Sequence, residues 1–463
     1  RVADAAVKGD AMPKKKAAKP AGPEADLPNP SFIVVRLESG SARAGVERAL
    51  AARMGWPEQT LLFPLAPDAI HAMPGELFVL ARAAAKRLAV LEGSTDGVLA
   101  MLLAQDGITA AVRQDAWTIG GHLAEEGAAR PAAGRDAPQW YLDRIRAREA
   151  WRMLGSDPED LPWRGVKVGH VDTGITRHRV FGDAASGRSW VLWDQGINYK
   201  ESGELPVDPA NYKGWPGHGT RTASVLCGRA PADGFWGVAP GVSVVPYRIT
   251  DGVVIDFLGN KTRIGAALLH ATLDAGCHVI SISLGCPCLP TPQMGAGVDR
   301  AYEEGVIVVA AAGNVTSEVT YPGRFSRAIT AGGSTPGDTP WLGGSRGAKV
   351  DISAPADGIW RADVGDVYGG GGDGTSYAAA MTAGAAALWR AVHAAELANA
   401  YARGWQIVEA FRTCLKRSAR QIPGWPTSEY GTGILDVEAL LRMPLPSAAS
   451  LVEVTTRAEG QRF

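Results

Sequence analysis

Four short runs in this chain are apolar along almost their whole length: VKVGHV, VSVVPYRI, HVISISLG and VIVVAAAG. A strand with one face in water alternates apolar and polar residues, so a run that is apolar throughout has to be covered on both faces. Stretches of helical spacing lie between these runs, IGAALLHATLDAG and GVDRAYEEG among them. Strands alternating with helices in this way predict an α/β fold with a mostly parallel sheet and helices on both faces. In open sheets of that kind, reactive groups gather just beyond the carboxyl ends of the strands. Polar residues at those points are the first candidates for chemistry.

The α/β pattern occupies residues 139–445, and what precedes it differs in character. Residues 1–30 are rich in Ala, Pro and Lys, with almost no large apolar side chains, and read as a disordered tail. Residues 31–119 read as a compact α+β unit, with strands SFIVVRL, ELFVLA and ITAAVRQ. Its first helix places Val46, Ala49, Leu50 and Met54 at helical spacing before Gly55, and TDGVLAMLLAQDG is a second. Residues 120–138 read as an exposed linker open to proteolysis, and 446–463 as a C-terminal tail. The stretch DPED at 157–160 reads as a surface turn.

With 463 residues and 46% hydrophobic content, the chain can build a substantial core. A net charge of −1 gives no electrostatic footprint for nucleic acid. No apolar run approaches the ~18 residues that span a bilayer, and no secretory leader pattern opens the sequence. The five cysteines (227, 277, 286, 288 and 414) are odd in number and lack the spacing of a disulfide framework. Cys286 and Cys288 have no second ligand pair nearby and read as loop thiols rather than a metal site.

Four residues stand where the sheet argument directs attention. Asp172 follows VKVGHV in VDTGI; His218 lies between Gly217 and Gly219; Asn314 closes VIVVAAAGN; Ser376 opens a helix of small residues in GTSYAAAMTAGAAALW. Each has an ordinary structural reading: a turn-capping Asp, a loop-filling His, an Asn in a left-handed turn, a helix-capping Ser. Each also has a chemical one. A serine hydroxyl needs a base to become a nucleophile, an imidazole serves as that base, and a carboxylate orients the imidazole. An amide N–H₂ can donate to an oxyanion.

The segments DTGI, GHGT, AAGN and GTSYAA, in that order, resemble the subtilisin-like serine peptidase family, as do VISISLG, DISAPADGI and EYGTGILDVEALL. The resemblance covers about 140–441. It implies a serine endopeptidase in which Ser376 attacks, His218 is general base and Asp172 orients it, with Asn314 and the Ser376 N–H meeting the oxyanion. It further implies that Ser283, Leu284 and Gly285 form one wall of the primary substrate pocket and Ala312 and Gly313 the other. The segment DGVVIDF at 251–257 would be the opposing edge, with Asp256 either attracting a basic side chain or simply solvated. The implied partner is a protein or peptide substrate, and no metal or other cofactor is required for the chemistry. Calcium often binds members of the family, but no D-x-[DN]-x-[DN]-G loop marks a site here. The 31–119 unit would be a propeptide-like domain, cut from the zymogen in the linker, and the location secreted or periplasmic.

The match departs from the family at three places. Ala380 stands where proline is usual, Arg221-Thr222 where His-Val is common, and His170 where an aliphatic residue is usual. His170 lies two residues before Asp172, on the same strand face. It reads as a buried, hydrogen-bonded core histidine, the other reading being a tuning effect on Asp172. A non-catalytic scaffold should lack a reactive residue, and all four are present; an esterase or peptide-modifying enzyme using the same groups stays open.

Overall fold

The computed structural model describes residues 32–37, 43–55, 62–64, 77–80, 88, 91, 98, 101–102, 104–106, 108–114, 138–154, 158–183, 188–210, 216–253, 255, 258–286, 290–314 and 318–459. The expected tail at 1–30, all but the last residue of the linker, Asp256 and Cys288 lie outside them.

In the N-terminal unit, β1 (Phe32–Leu37), α1 (Arg43–Met54), β2 (Leu62–Pro64), β3 (Leu77–Leu80) and β4 (Ile108–Gln114) follow one another. The strands form an antiparallel sheet in the order β2-β3-β1-β4, with Val34 opposite Val79 on one side and Val112 on the other. Helix α1 buries Val46, Leu50, Ala51 and Met54 and is followed by Gly55 in a left-handed conformation, φ 66°. Ala49, expected on the inner face, is only half-buried, and Ala51 takes its place. Of the second expected helix only 98, 101–102 and 104–106 are described, Val98 and Leu102 being buried.

The larger unit runs β5 (Lys167–Asp172), β6 (Ile197–Asn198), α2 (His218–Cys227), β7 (Arg229–Ala230), β8 (Phe235–Trp236), β9 (Ser243–Arg248), α3 (Leu258–Leu273), β10 (Val279–Ile282), α4 (Pro292–Glu303), β11 (Ile307–Ala311), β12 (Ile329–Ser334) and β13 (Ile352–Pro355). The hairpin β14 (Ile359–Asp363) and β15 (Val367–Gly372) leads into α5 (Thr375–Val392), and α6 (Gly404–Ser418) and α7 (Val437–Arg442) follow. Seven strands pair in parallel in the order β13-β12-β11-β10-β5-β9-β6. The apolar runs are buried on both faces as their composition demands. Val168, Val279, Ile307 and Val309 join the core under α2 and α5, while Val171, Ile280, Ile282 and Val308 join the one under α3 and α4.

The chain places β9 on one side of β5 and β10 on the other, so the order reverses at β5. A crevice at the carboxyl ends of the strands is expected at such a point. Helix α5 reaches it along the sheet, packed against β10 to β13 and against α2. Sixteen of its residues are buried, Thr375 to Trp389 and Ala391. A helix covered on nearly every side has to be made of small residues. At Gly384, for example, a Cβ would come within 2.9 Å of Val238 Cβ. Ala380 is fully buried within it, so the departure from proline leaves the helix start intact.

The segment after α7 lies against the body of the unit. Asp299 on α4 accepts from Arg327 (2.8 Å) and from the backbone of Ala458 (2.8 Å) and Glu459 (3.1 Å), while Arg327 Nε donates to Val454 O at 3.0 Å. Residues 158–160 form a turn, with Glu159 and Asp160 exposed. Among the described residues no helix is long and apolar enough to cross a membrane.

Asp299 and Arg327 are both buried, so removing the aspartate leaves Arg327 only the longer approaches of Glu303 (3.6 Å) and Glu453 (3.9 Å). Asp299→Ala is expected to lower the unfolding free energy by about 3–5 kcal/mol in urea denaturation. A loss below about 1 kcal/mol, the scale of an exposed pair, would show that solvent reaches the site.

Candidate active site

Asp172 is the last residue of β5 and has no contact with solvent. Its Oδ1 accepts from His218 Nδ1 at 2.7 Å and from the Thr173 N–H at 2.8 Å. Burial alone would raise the carboxyl pKa; the charge and hydrogen bond of His218, His170 and the Thr173 amide outweigh it and hold the group below its ordinary value. With the carboxylate bound at Nδ1, the basic nitrogen of the neutral His218 ring is Nε2.

His218 opens α2, and the glycines around it serve close approach. Gly217 adopts φ 72°, and a Cβ there would lie 2.3 Å from Val364 Cγ2. A Cβ at Gly219 would lie 2.1 Å from Gly174 O, so the first turn of α2 sits directly on the loop after Asp172. Thr173 locks this contact. Its hydroxyl accepts from Gly219 N (2.9 Å) and donates to Asp208 Oδ2 (2.5 Å), and Asp208 Oδ1 accepts from Ala210 N (2.7 Å). Burial raises the Asp208 pKa against those hydrogen bonds.

Ser376 is the second residue of α5, and the position before the helix is Gly374 with φ 145° and no side-chain cap. The serine is therefore not a capping residue. Its Oγ donates to Ser283 O at 3.2 Å, and Ser283 Oγ donates back to Ser376 O at 3.0 Å, which ties the helix start to the end of β10.

Asn314 follows β11. Its Oδ1 accepts from both the N–H (2.9 Å) and the hydroxyl (2.7 Å) of Thr375, and that hydroxyl accepts from Gly313 N at 3.0 Å. Two donors on one end leave Nδ2 as the opposite end of the amide. The left-handed turn belongs to Gly313, φ 110°, so conformation alone does not require an asparagine.

Ser283 and Leu284 are buried at the end of β10, with Gly285 half-buried beyond them; Ala312 is buried beside Gly313 after β11. Gly285 donates to Val253 O (3.3 Å) and accepts from Ile255 N (3.1 Å), so it pairs directly with the edge expected to face it across the groove. Thr320 lies between the two expected walls. A Cβ added at Gly285 would meet its Oγ1 at 2.3 Å, and one at Gly313 its Cγ2 at 2.7 Å. Nothing in the sequence around Thr320 signals that position. Thr375, Thr173 and Asp208 were likewise invisible, because they act on the four candidates through contacts between distant segments.

Among the described residues no group of three or more His, Cys, Asp or Glu side chains could hold a metal ion. Cys227, Cys277, Cys286 and Cys414 are buried, and burial pushes the thiol of Cys277 up to about 12 and that of Cys414 to about 11. Neither is a nucleophile near neutrality.

A buried Asp–His pair stands at a strand end, and the helix that His218 opens packs against the helix that carries Ser376. The subtilase family model matches residues 163–433, well over half of the chain. The chain belongs to the subtilase family. It is 30% identical over 304 residues to Subtilisin BL of Lederbergia lenta, covering 65% of this chain and 98% of that one. An alkaline protease of Shouchella clausii is 29% identical, over 65% of this chain and 70% of its own. Among solved structures, MycP1 with its N-terminal propeptide removed superposes with a TM-score of 0.53 at 21% identity, covering 66% of this chain and 98% of that one. MycP1 from Mycobacterium smegmatis gives 0.54 at 20%, covering 69% and 88%. These two support the fold. The protein is a subtilisin-like serine peptidase.

Two departures of this subtilase acquire partners. Arg221 on α2 donates to Asp363 Oδ1 (3.0 Å), and Arg361 NH1 donates to Asp363 Oδ2 (3.1 Å) while its Nε donates to Tyr377 OH (3.0 Å). The β14–β15 hairpin thus connects the helix of His218 to the helix of Ser376. Thr222, the next residue, is 3.0 Å from His170 Nε2.

Because the folded Asp172 carboxyl titrates below its unfolded value of about 3.8, its charge stabilises the fold above that pH and the contribution is lost as pH falls through the folded value. The stability difference between the protein and Asp172→Asn is expected to shift against the parent as thermal melts are run from neutrality to about pH 2. A difference independent of pH would mean that Asp172 carries no such charge.

Proposed function

We propose that this subtilase is a serine endopeptidase acting through Asp172, His218 and Ser376, with Asn314 in the oxyanion hole. The observation that carries the reading is the buried 2.7 Å hydrogen bond between Asp172 and His218 Nδ1 at the reversal point of the sheet. His218 Nε2 takes the Ser376 proton as Oγ leaves Ser283 O and attacks the scissile carbonyl. The imidazolium, stabilised by Asp172, then returns the proton to the departing amine, and water repeats the sequence on the acyl-enzyme. Charge develops on the carbonyl oxygen, where Asn314 Nδ2 and the Ser376 N–H donate. The two bonds from Thr375 to Asn314 Oδ1 support this role, since they hold the amide in place before the charge appears.

A substrate strand adds along Gly285, and the Gly285 pairing with Val253 and Ile255 parts to admit it. Thr320 narrows the space between the walls. The N-terminal unit acts as a propeptide and is released by cleavage in 120–138, and the enzyme works after secretion. The antiparallel sheet of that unit supports the first of these, and the family the rest.

A fluorophosphonate probe should label the protein and leave Ser376→Ala unlabelled; labelling of both would remove Ser376 from the mechanism. Asn314→Ala should reduce kcat by the equivalent of about 2.7–4 kcal/mol with KM nearly unchanged, as loss of the asparagine donor does in subtilisin. A rise in KM at constant kcat would reject the oxyanion role. During maturation the parent should separate into two pieces while Ser376→Ala stays intact, as read by gel and mass spectrometry. The same break in both would assign the cut to another protease.

A further inference from the structure

Two departures from the family pattern, 52 residues apart in the chain, meet directly behind the catalytic carboxylate. His170 and Asp172 point to the same face of β5, and Thr222 lies one helical turn after His218 on α2. The Thr222 hydroxyl is 3.0 Å from His170 Nε2 and 3.3 Å from Asp172 Oδ2, the carboxylate oxygen turned away from His218. All three side chains are buried. Deepening the triad reading and resting on it, we propose that His170 and Thr222 are one positioning unit that holds Asp172 from behind and draws charge toward Oδ2.

The single hydroxyl proton of Thr222 decides whether the unit works. Besides Asp172 Oδ2, the hydroxyl has the carbonyls of His218 (3.2 Å) and Gly219 (3.3 Å) within reach, the usual local acceptors for a helical threonine. The proton also goes to His170 if that ring presents a lone pair at Nε2. His170 Nδ1 is buried, and its own backbone carbonyl is the acceptor that acts on the ring from that side. An ionised carboxylate takes the Thr222 proton in preference to a neutral ring nitrogen, which leaves Nε2 to carry the ring proton toward the hydroxyl. His170 then donates to Thr222, and the threonine proton passes to the strongest acceptor in reach, the ionised carboxylate. Burial lowers the His170 pKa and keeps the ring neutral, against the opposing pull of Asp172. The other titratable group acting on His170 is His218, from α2. The neighbouring strands place Ser281 on β10 and Pro246 on β9 in register with it, neither charged, while Asp208 bonds Thr173 and acts through its charge on both Asp172 and His218.

The consequence is electrostatic. A donor on Oδ2 withdraws charge from Oδ1, which weakens the attraction of Asp172 for the imidazolium form of His218. His218 then loses its proton at a lower pH, and the acid limb of kcat/KM lies lower than it would beside a carboxylate held only at Oδ1.

The test is the pH dependence of peptide hydrolysis by the full chain and four variants, with the His218 imidazole followed by NMR in the Ser376→Ala background. Thr222→Val removes the hydroxyl at nearly constant volume and is expected to raise the acid limb and the His218 midpoint by about half a pH unit. Thr222→Ser is expected to keep both in place. His170→Val is expected to produce part of the rise, because the hydroxyl, no longer held in orientation by the ring N–H, divides its proton between the carboxylate and its own helix carbonyls. The double substitution His170→Val/Thr222→Val should move no further than Thr222→Val alone, since His170 acts through the threonine. An unmoved midpoint in Thr222→Val overturns the proposal, as does an equal rise in Thr222→Ser or a double shift equal to the sum of the single ones. The NMR readout needs no turnover. If the parent cleaves peptide and His218 does not move, the positioning unit alone falls. If His218 moves as expected and no peptide is cleaved, the endopeptidase reading falls and the unit stands.

Discussion

The charge on Asp172 is the constraint on which this structure turns. A carboxylate wholly removed from water is tolerated only when hydrogen bonds and an adjacent positive or polarisable group replace its hydration. Here the replacement comes from His218, the Thr173 amide and the Thr222 hydroxyl, contributed by the strand end and by the helix laid across it. The same contacts that make burial tolerable also set the tautomer and orientation of the imidazole. Stability and chemistry are drawn from one set of bonds.

Holding the partners in place is the task of helix packing. Helix α5 lies against four strands and α2, and its small side chains let backbone approach backbone. The reciprocal bonds between Ser283 and Ser376, and those from Thr375 to Asn314, pin the first turn of that helix to the ends of β10 and β11. On the other side, Arg221, Asp363, Arg361 and Tyr377 connect α2 to α5 through a hairpin. Residues distant in sequence from the four candidates thus decide where those side chains stand.

Physical reasons separate what could be read early from what could not. The fully apolar runs became the central strands because a parallel sheet covered on both faces leaves no alternation to disguise them. Asp172, His218, Asn314 and Ser376 were legible because each follows a strand or opens a helix beside glycine, a local pattern that survives without coordinates. His170 was legible as a buried histidine, and burial is what the fold provides. Its bond to Thr222 was not legible, because nothing in either local sequence encodes the other's position.

The sequence by itself determined the order of the central strands and helices and the double coverage of the sheet, and it marked four candidate side chains, since these rest on short-range periodicity and on residue chemistry. Only the tertiary structure decided which acceptor each donor serves. It turned Ser376 toward Ser283, anchored the Asn314 oxygen on Thr375, set Thr320 between the pocket walls and brought Thr222 behind Asp172. Hydrogen bonds act over about 3 Å, whereas Arg221 and Asp363 stand 142 positions apart in the chain. Such partners are chosen by packing, and packing exists only once the chain has closed on itself.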